Sequence, residues 1–209
     1  MVLVYSKVKK RIISLIGIAI DRYFINEDNC PVIISNNCWG SGLYKNIRVE
    51  YLTPFVGLYI LPKDYVALVK DFDLFLNSKM HYHMGLKYPI GNVNGVTIHF
   101  LHYRSVNEAK DKFSRRLSRM KSELNNNRLL VFKFCDVDFA DDDNEKLIYD
   151  FHKYADLHGK SISFSRSDIQ LRNSFKVNHK KTPNGIELFN NRYAYKNFHK
   201  VLKQEYNEF

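Results

Sequence analysis

Apolar positions along this chain fall into two kinds of run, and the two kinds alternate. Residues 31–35, 55–61, 96–103, 129–135, 161–165 and 186–189 are short and dense in aliphatic and aromatic side chains, which predicts strands. Several are continuously apolar, as expected of strands covered on both faces. Between them the spacing turns helical. Tyr65, Leu68, Val69, Phe72, Phe75 and Leu76 share a face behind Pro62 and Asp64. Val106, Ala109, Phe113, Leu117, Met120 and Leu124 form a second stripe, opened by a capping box from Ser105 to Glu108. Asp142 and Glu145 repeat that logic before Leu147, Ile148, Phe151, Tyr154 and Ala155, and Tyr195, Phe198, Leu202 and Tyr206 mark a last helix. Asn94-Gly95 between two β-rich triplets predicts a type I′ hairpin. The pattern as a whole predicts an α/β fold, a three-layer α/β/α sandwich around a mostly parallel, mixed sheet with that one hairpin. No repeat, low-complexity tract or Pro/Gly/Ser linker interrupts it, so residues 1–209 read as a single domain.

The first 26 residues predict an amphipathic helix packed on that domain. Val4, Val8, Ile12, Leu15, Ile16, Ala19 and Tyr23 share one face, with Lys7, Lys10 and Arg22 mostly off it. Its ordinary role is to cover a sheet; the other role is contact with a membrane surface. The apolar run Ile12 to Ile20 is too short to span a bilayer, and no small-residue cleavage pattern follows it.

Composition narrows the class. Hydrophobic residues are 45% and charged residues 26%, ordinary for a globular chain, and 15 Phe with 14 Tyr predict ring-rich walls. Cys30, Cys38 and Cys135 form no CxxC pair, which points to a reducing, cytoplasmic setting. The net charge of +10 is uneven. Arg104 to Lys133 carries nine basic and three acidic residues, whereas Phe134 to Asp156 carries two and eight. Such a basic block suits a phosphorylated or anionic small molecule. The aromatic strand signatures of nucleic-acid modules are absent, so nucleic acid is not the expected partner.

Five constellations carry candidate chemistry. In VIISNNCWGSG, residues 32–42, a strand end meets a helix start, where backbone N–H groups and the dipole favour anions and a Cys38 thiolate. Asn36 and Asn37 are placed there to donate to an oxyanion or sugar hydroxyl, with Trp39 and Gly40 beside them. His102, at another strand end, is the candidate base of a Cys38–His102 pair. By strand alternation His102 faces with Ile98 and Phe100, opposite His99 and Tyr103. Arg104 adds positive charge at a helix N-terminus, which reads as an anion site. On the following helix, Arg116 borders the apolar stripe, Arg119 lies further round and Arg115 points away; Arg forks suit phosphate or carboxylate. Asp136 and Asp138 are weak candidates for a divalent metal on a diphosphate. His81 and His83 share one strand face but have no third metal ligand at suitable spacing. No cofactor is expected.

Three blocks, SNNCWGSGLY, TPFVGLYILPKDYVALV and YPIGNVNGVTIHFLHYRSVNEAKDKFSRRLSRM, together resemble an uncharacterised bacterial family of exopolysaccharide biosynthesis proteins. The resemblance is strongest from Pro31 to Met120. Its pattern falls on Asn36, Asn37, Cys38 and Gly40, on Tyr88, Pro89 and Gly91, on His99, His102 and Tyr103, and on Arg115, Arg116 and Arg119. It implies a single α/β domain linked to capsule or exopolysaccharide synthesis. The expectation is a transferase (glycosyl, phosphoglycosyl or acyl) acting on a sugar-phosphate or nucleotide-sugar. Cys38 and His102 would be catalytic, and Asn36, Asn37, Trp39, Gly40, Tyr103, Arg104, Arg116 and Arg119 would bind substrate. A non-catalytic glycan- or partner-binding module and a Cys-dependent acyltransferase or hydrolase are the alternatives. Location would be cytoplasmic, with the inner membrane face as a further option.

Overall fold

The computed structural model describes residue 12 and residues 15–135, 144–178, 185–191 and 196–202. The element order is helix α1 (residues 15–24), β1 (Val32–Ser35), a 3₁₀ turn (Cys38–Gly40), α2 (Ser41–Ile47), β2 (Tyr59–Ile60), α3 (Pro62–Lys70) and α4 (Phe72–Asn77). Then come β3 (His81–Met84), β4 (Pro89–Val93), β5 (Val96–His99), α5 (Val106–Asn125) and β6 (Leu130–Cys135). The described chain closes with α6 (Asn144–Ala155), β7 (Lys160–Ser165), β8 (Ser174–Lys176), α7 (Gly185–Phe189) and α8 (residues 196–202).

The alternation of strands and helices is realised as a mixed α/β fold, with the strands divided between two sheets. Four parallel strands run in the order β1-β6-β7-β8, and four antiparallel strands in the order β2-β5-β4-β3. The seam is narrow: Ile60 N–H donates to the Asn36 carbonyl at 2.9 Å, just beyond the end of β1. Of the parallel strands, β1 and β6 are apolar almost throughout and buried at every position. The antiparallel strands β4 and β5 alternate instead, buried then half-buried, as a sheet with one solvated face does. The predicted hairpin is present, with Asn94 and Gly95 both at positive φ and Val93 paired with Val96.

Three expectations are corrected. The apolar run 186–189 is not a strand but lies in α7, where Leu188 and Phe189 are buried. A four-residue apolar run does not distinguish a strand from a helical turn. The run 55–61 pairs only at Tyr59–Ile60, because Gly57 at φ 72 bends the chain before it. The run 96–103 stops as a strand at His99, and a turn at Leu101–His102 breaks the alternation. His102 is therefore exposed, while Tyr103 is buried against Phe100.

Helix α1 also departs from its expected seating. Its apolar stripe, predicted to cover a sheet, faces out at Ile12, Leu15, Ile16, Ala19 and Tyr23. The helix is held instead by a polar contact. Buried Asp21 accepts from Asn46 Nδ2 at 2.6 Å and pairs with His199 Nε2 at 3.0 Å.

Candidate functional site

The β1 end is held together by its own side chains. Asn36 Nδ2 donates to the Cys135 carbonyl at 2.9 Å, and its Oδ1 accepts from Cys135 N–H at 3.2 Å. The side chain thus closes the gap between β1 and β6 where the strands diverge. Asn37 caps the 3₁₀ turn: its Oδ1 accepts from Trp39 N–H at 3.2 Å and from Lys133 Nζ at 3.0 Å. Lys133 is fully buried, its ammonium 5.8 Å from the centre of the Trp39 ring. Trp39 itself packs on Phe164, Phe189 and Phe198. Gly185 lies so close to the turn that a Cβ there would stand 2.8 Å from Asn37 Oδ1 and 3.0 Å from Cys38 N. The turn is therefore backed by protein, and Gly40 likewise sits hard against Ile33. Lys133 escaped attention in the sequence, although one lysine in the otherwise apolar run LLVFKFC was the available signal. A charge in a strand covered on both faces must find polar partners.

Cys38 and His102 are brought to one segment without meeting in a hydrogen bond. Three successive carbonyls of the 56–58 loop organise this region. Val56 accepts from Tyr103 Oη at 2.7 Å, Gly57 from His102 N–H at 3.1 Å, and Leu58 from the Cys38 thiol at 3.7 Å. The expected thiolate is corrected: burial pushes the Cys38 pKa up, against the smaller opposing effects of a backbone hydrogen bond at Gly57 and of the Lys45 and Lys133 charges. Desolvation of the charged form outweighs the weak dipole of a three-residue turn. Arg104 is exposed; Ser105 Oγ accepts from Glu108 N–H at 3.2 Å, the serine half of the capping box, while the Glu108 carboxylate reaches back one residue further, to Arg104 N–H at 2.8 Å.

A basic cleft lies further along α5. It has a volume of about 460 Å³ and is lined by Tyr44, Lys45, Arg48, Val49, Glu50, Tyr51, Arg115, Arg116 and Arg119. It holds five cations and one carboxylate, a balance of +4. Arg115 is exposed, pointing away from the apolar stripe as expected, and it also lines this wall, because positions 115, 116 and 119 of α5 form one contiguous patch. Arg116 is fixed in place: it donates to Tyr103 Oη at 2.8 Å and lies over the Tyr51 ring at 4.9 Å. Burial raises the Tyr103 pKa, so it stays a neutral phenol that can both accept from Arg116 and donate to Val56. Arg119 donates to the Tyr51 carbonyl at 2.9 Å and pairs with Glu50. Arg48 caps α2 in the left-handed region at φ 62, a position glycine fills at lower cost. Lys45 and Arg48 were missed in the sequence. Their i, i+3 spacing at the end of a short helix was the only available mark.

Asp136 and Asp138 lie outside the described residues. Among the described residues no group of three His, Cys, Asp or Glu side chains is placed to hold a metal ion. His81 and His83 occupy one exposed face of β3, where His83 Nδ1 is 3.4 Å from Asn92 Nδ2. No described helix is long and apolar enough to cross a membrane.

An uncharacterized protein of Haemophilus influenzae is 33% identical over 117 residues, covering 56% of each chain, so the match spans a little over half the length of that relative. A family model matches nearly the whole chain, residues 8–201, and the protein belongs to the family described as "Domain of unknown function (DUF1919)".

Proposed function

We propose that the protein binds a phosphorylated or otherwise anionic sugar in the basic cleft between α2 and α5, as a transferase of bacterial surface-polysaccharide assembly. One observation carries the reading. Lys45, Arg48, Arg115, Arg116 and Arg119 surround a single cavity with only Glu50 to offset them. Guanidinium forks match the paired oxygens of phosphate or carboxylate, and Tyr51 offers a ring edge to a sugar. Arg116 is the clamp already oriented for this work by Tyr103 and Tyr51. His102, exposed beside the 56–58 loop, is the acid/base candidate. Asn36, Asn37, Trp39, Gly40 and Lys133 hold the β1 end together in this reading rather than touching substrate. A three-layer arrangement around the parallel sheet is supported by Tyr65, Phe134 and Phe151 stacking on one face and Trp39, Phe164 and Phe198 on the other. A cytoplasmic location is part of this reading, and a divalent metal enters it only through Asp136 and Asp138.

A second reading, a non-catalytic binding module for the same ligands, is favoured by the state of Cys38. A thiol bonded to a carbonyl, with a raised pKa, is not an activated nucleophile. The same observation weighs against the thiol acyltransferase or hydrolase. Two measurements separate the readings. Iodoacetamide is expected to label Cys38 slowly at neutral pH, and rapid labelling would revive the thiol enzyme. His102→Ala is expected to abolish product formation from a sugar-phosphate donor while leaving donor affinity within about two-fold. Binding with no turnover of any sugar-phosphate or nucleotide-sugar donor would leave only the binding module.

A further inference from the structure

The basic cleft makes no use of helix α1. On it Leu15, Ile16, Ile20 and Tyr23 are 59, 45, 39 and 81% exposed, and Ile12, which precedes it, is 52% exposed. These positions recur at three- and four-residue steps and therefore share one face. The helix is fastened by the other face, through buried Asp21 to Asn46 and His199 and through Arg22 Nε to the Asn46 carbonyl at 2.8 Å. A core helix hides its apolar stripe and shows its charges. Here the rotation is fixed the other way by polar contacts, so the apolar face stays uncovered among the described residues.

Charge identifies what covers it. Residues 1–22 contain five cations, Lys7, Lys9, Lys10, Arg11 and Arg22, and one acid, Asp21. That acid is buried in the pair with His199. In sequence, the segment thus joins charge of one sign to the apolar stripe. Tyr23 stands at its edge, packed edge-on against Phe24 at 4.8 Å. Apolar side chains, flanking cations and a boundary tyrosine are what an anionic lipid surface selects, and a second copy of this chain would repel the same cations.

We propose that α1 lies in the surface of an anionic phospholipid bilayer, inserting Ile12, Leu15, Ile16, Ile20 and Tyr23 and holding the protein at the membrane. The anchoring residue Asn46 belongs to α2, beside Lys45 and Arg48, so the lipid-facing helix is tied to the element that lines the cleft. The proposal does not depend on the ligand of that cleft, because a sugar-phosphate titration needs no bilayer.

The test is co-sedimentation of the full chain with vesicles of mixed phosphatidylglycerol and phosphatidylcholine, and with vesicles of phosphatidylcholine alone. The full chain is expected to pellet with the mixed vesicles and to stay in solution with the neutral ones. Leu15→Glu is expected to weaken partitioning about ten-fold or more. Ile16→Lys adds a cation but removes an inserted side chain, and is expected to weaken binding as well. Both sites are exposed, so circular dichroism and the melting temperature are expected to match wild type. Failure of the wild-type chain to pellet with mixed vesicles overturns the proposal. So does undiminished binding by both variants, or tighter binding by Ile16→Lys, which would reduce the contact to charge alone. A wild-type dimer in light scattering that Leu15→Glu dissolves, with no vesicle binding, assigns the face to self-association instead.

Discussion

Arg48 states the tension between folding and binding at the scale of one residue. Its φ of 62 is a conformation that glycine adopts freely and that costs an L-residue about 1 kcal/mol or more. Arg48→Gly is therefore expected to stabilise the fold by up to about 1 kcal/mol, less the entropy gained by the unfolded chain. The same change removes a cleft cation, so sugar-phosphate affinity is expected to fall about ten-fold. A urea titration and a binding isotherm on one preparation check both; unchanged affinity would make Arg48 a mere helix terminator. Asn36 gives the opposite case, a residue whose polar atoms serve the fold. Asn36→Ala leaves the Cys135 N–H and carbonyl buried without these partners and is expected to cost about 2–3 kcal/mol in urea unfolding. A cost below about 0.5 kcal/mol would show that the β1–β6 end does not depend on it. Residue types were legible in the sequence here, but roles were not. SNNC announces polar groups at a strand end, and nothing in the string says whether they face a ligand or the neighbouring strand. Only the three-dimensional neighbour, Cys135, decides it.

Among the elements, the helices were the more legible. Helix α5 follows its stripe and its capping box because both signals lie within a few residues of each other. Strand ends were less legible, since the stop at His99 depends on a turn closed by long-range bonds to the 56–58 loop. The α6–β7 unit contains a buried polar chain that the sequence did not reveal. His152 Nδ1 is 2.6 Å from Ser161 Oγ, which donates to Asp156, and its Nε2 is 2.8 Å from Ser163 Oγ. The serines alternate along β7 with Ile162 and Phe164, so the strand gives one face to α6 and the other to Trp39. Since Ser161 donates to the carboxylate, it accepts from Nδ1–H. Burial lowers the His152 pKa to about 4, with Asp156 opposing weakly. The unfolded chain takes up this proton near pH 6.5, the folded one only near 4. Stability is thus full above about pH 6.5 and falls by about 3 kcal/mol as the pH drops through that window. Urea midpoints measured across it are expected to decline, and to decline less in His152→Gln. Equal slopes for the two proteins would assign the acid sensitivity to other groups.

For the whole molecule, a mixed α/β fold was readable from the alternation of run types, because each local period reports which faces are covered. The division into two four-stranded sheets was not. It shows in the bend at Gly57 and in the long-range hydrogen bond from Ile60 to Asn36, neither of which has a local signature. The cleft was half readable. Arg116 and Arg119 stand out on a helix, but Lys45, Arg48 and Tyr51 come from a segment some seventy residues away in sequence, and only the approach of that segment to α5, with Arg119 on the Tyr51 carbonyl, assembles them. That assembly concentrates part of the +10 net charge into one concave place, where low-dielectric walls strengthen attraction for an anion. The most direct measurement is a calorimetric titration of glucose 1-phosphate, a UDP-sugar and neutral glucose into the wild-type chain and into Arg115→Glu. Arg115 is exposed, so the variant is expected to fold normally. At least one of the two anionic sugars should bind the wild type, glucose should not, and Arg115→Glu should weaken binding about ten-fold or more. Absence of binding by both anionic sugars, or equal affinity in the charge-reversed variant, would contradict an anionic-sugar site in this cleft.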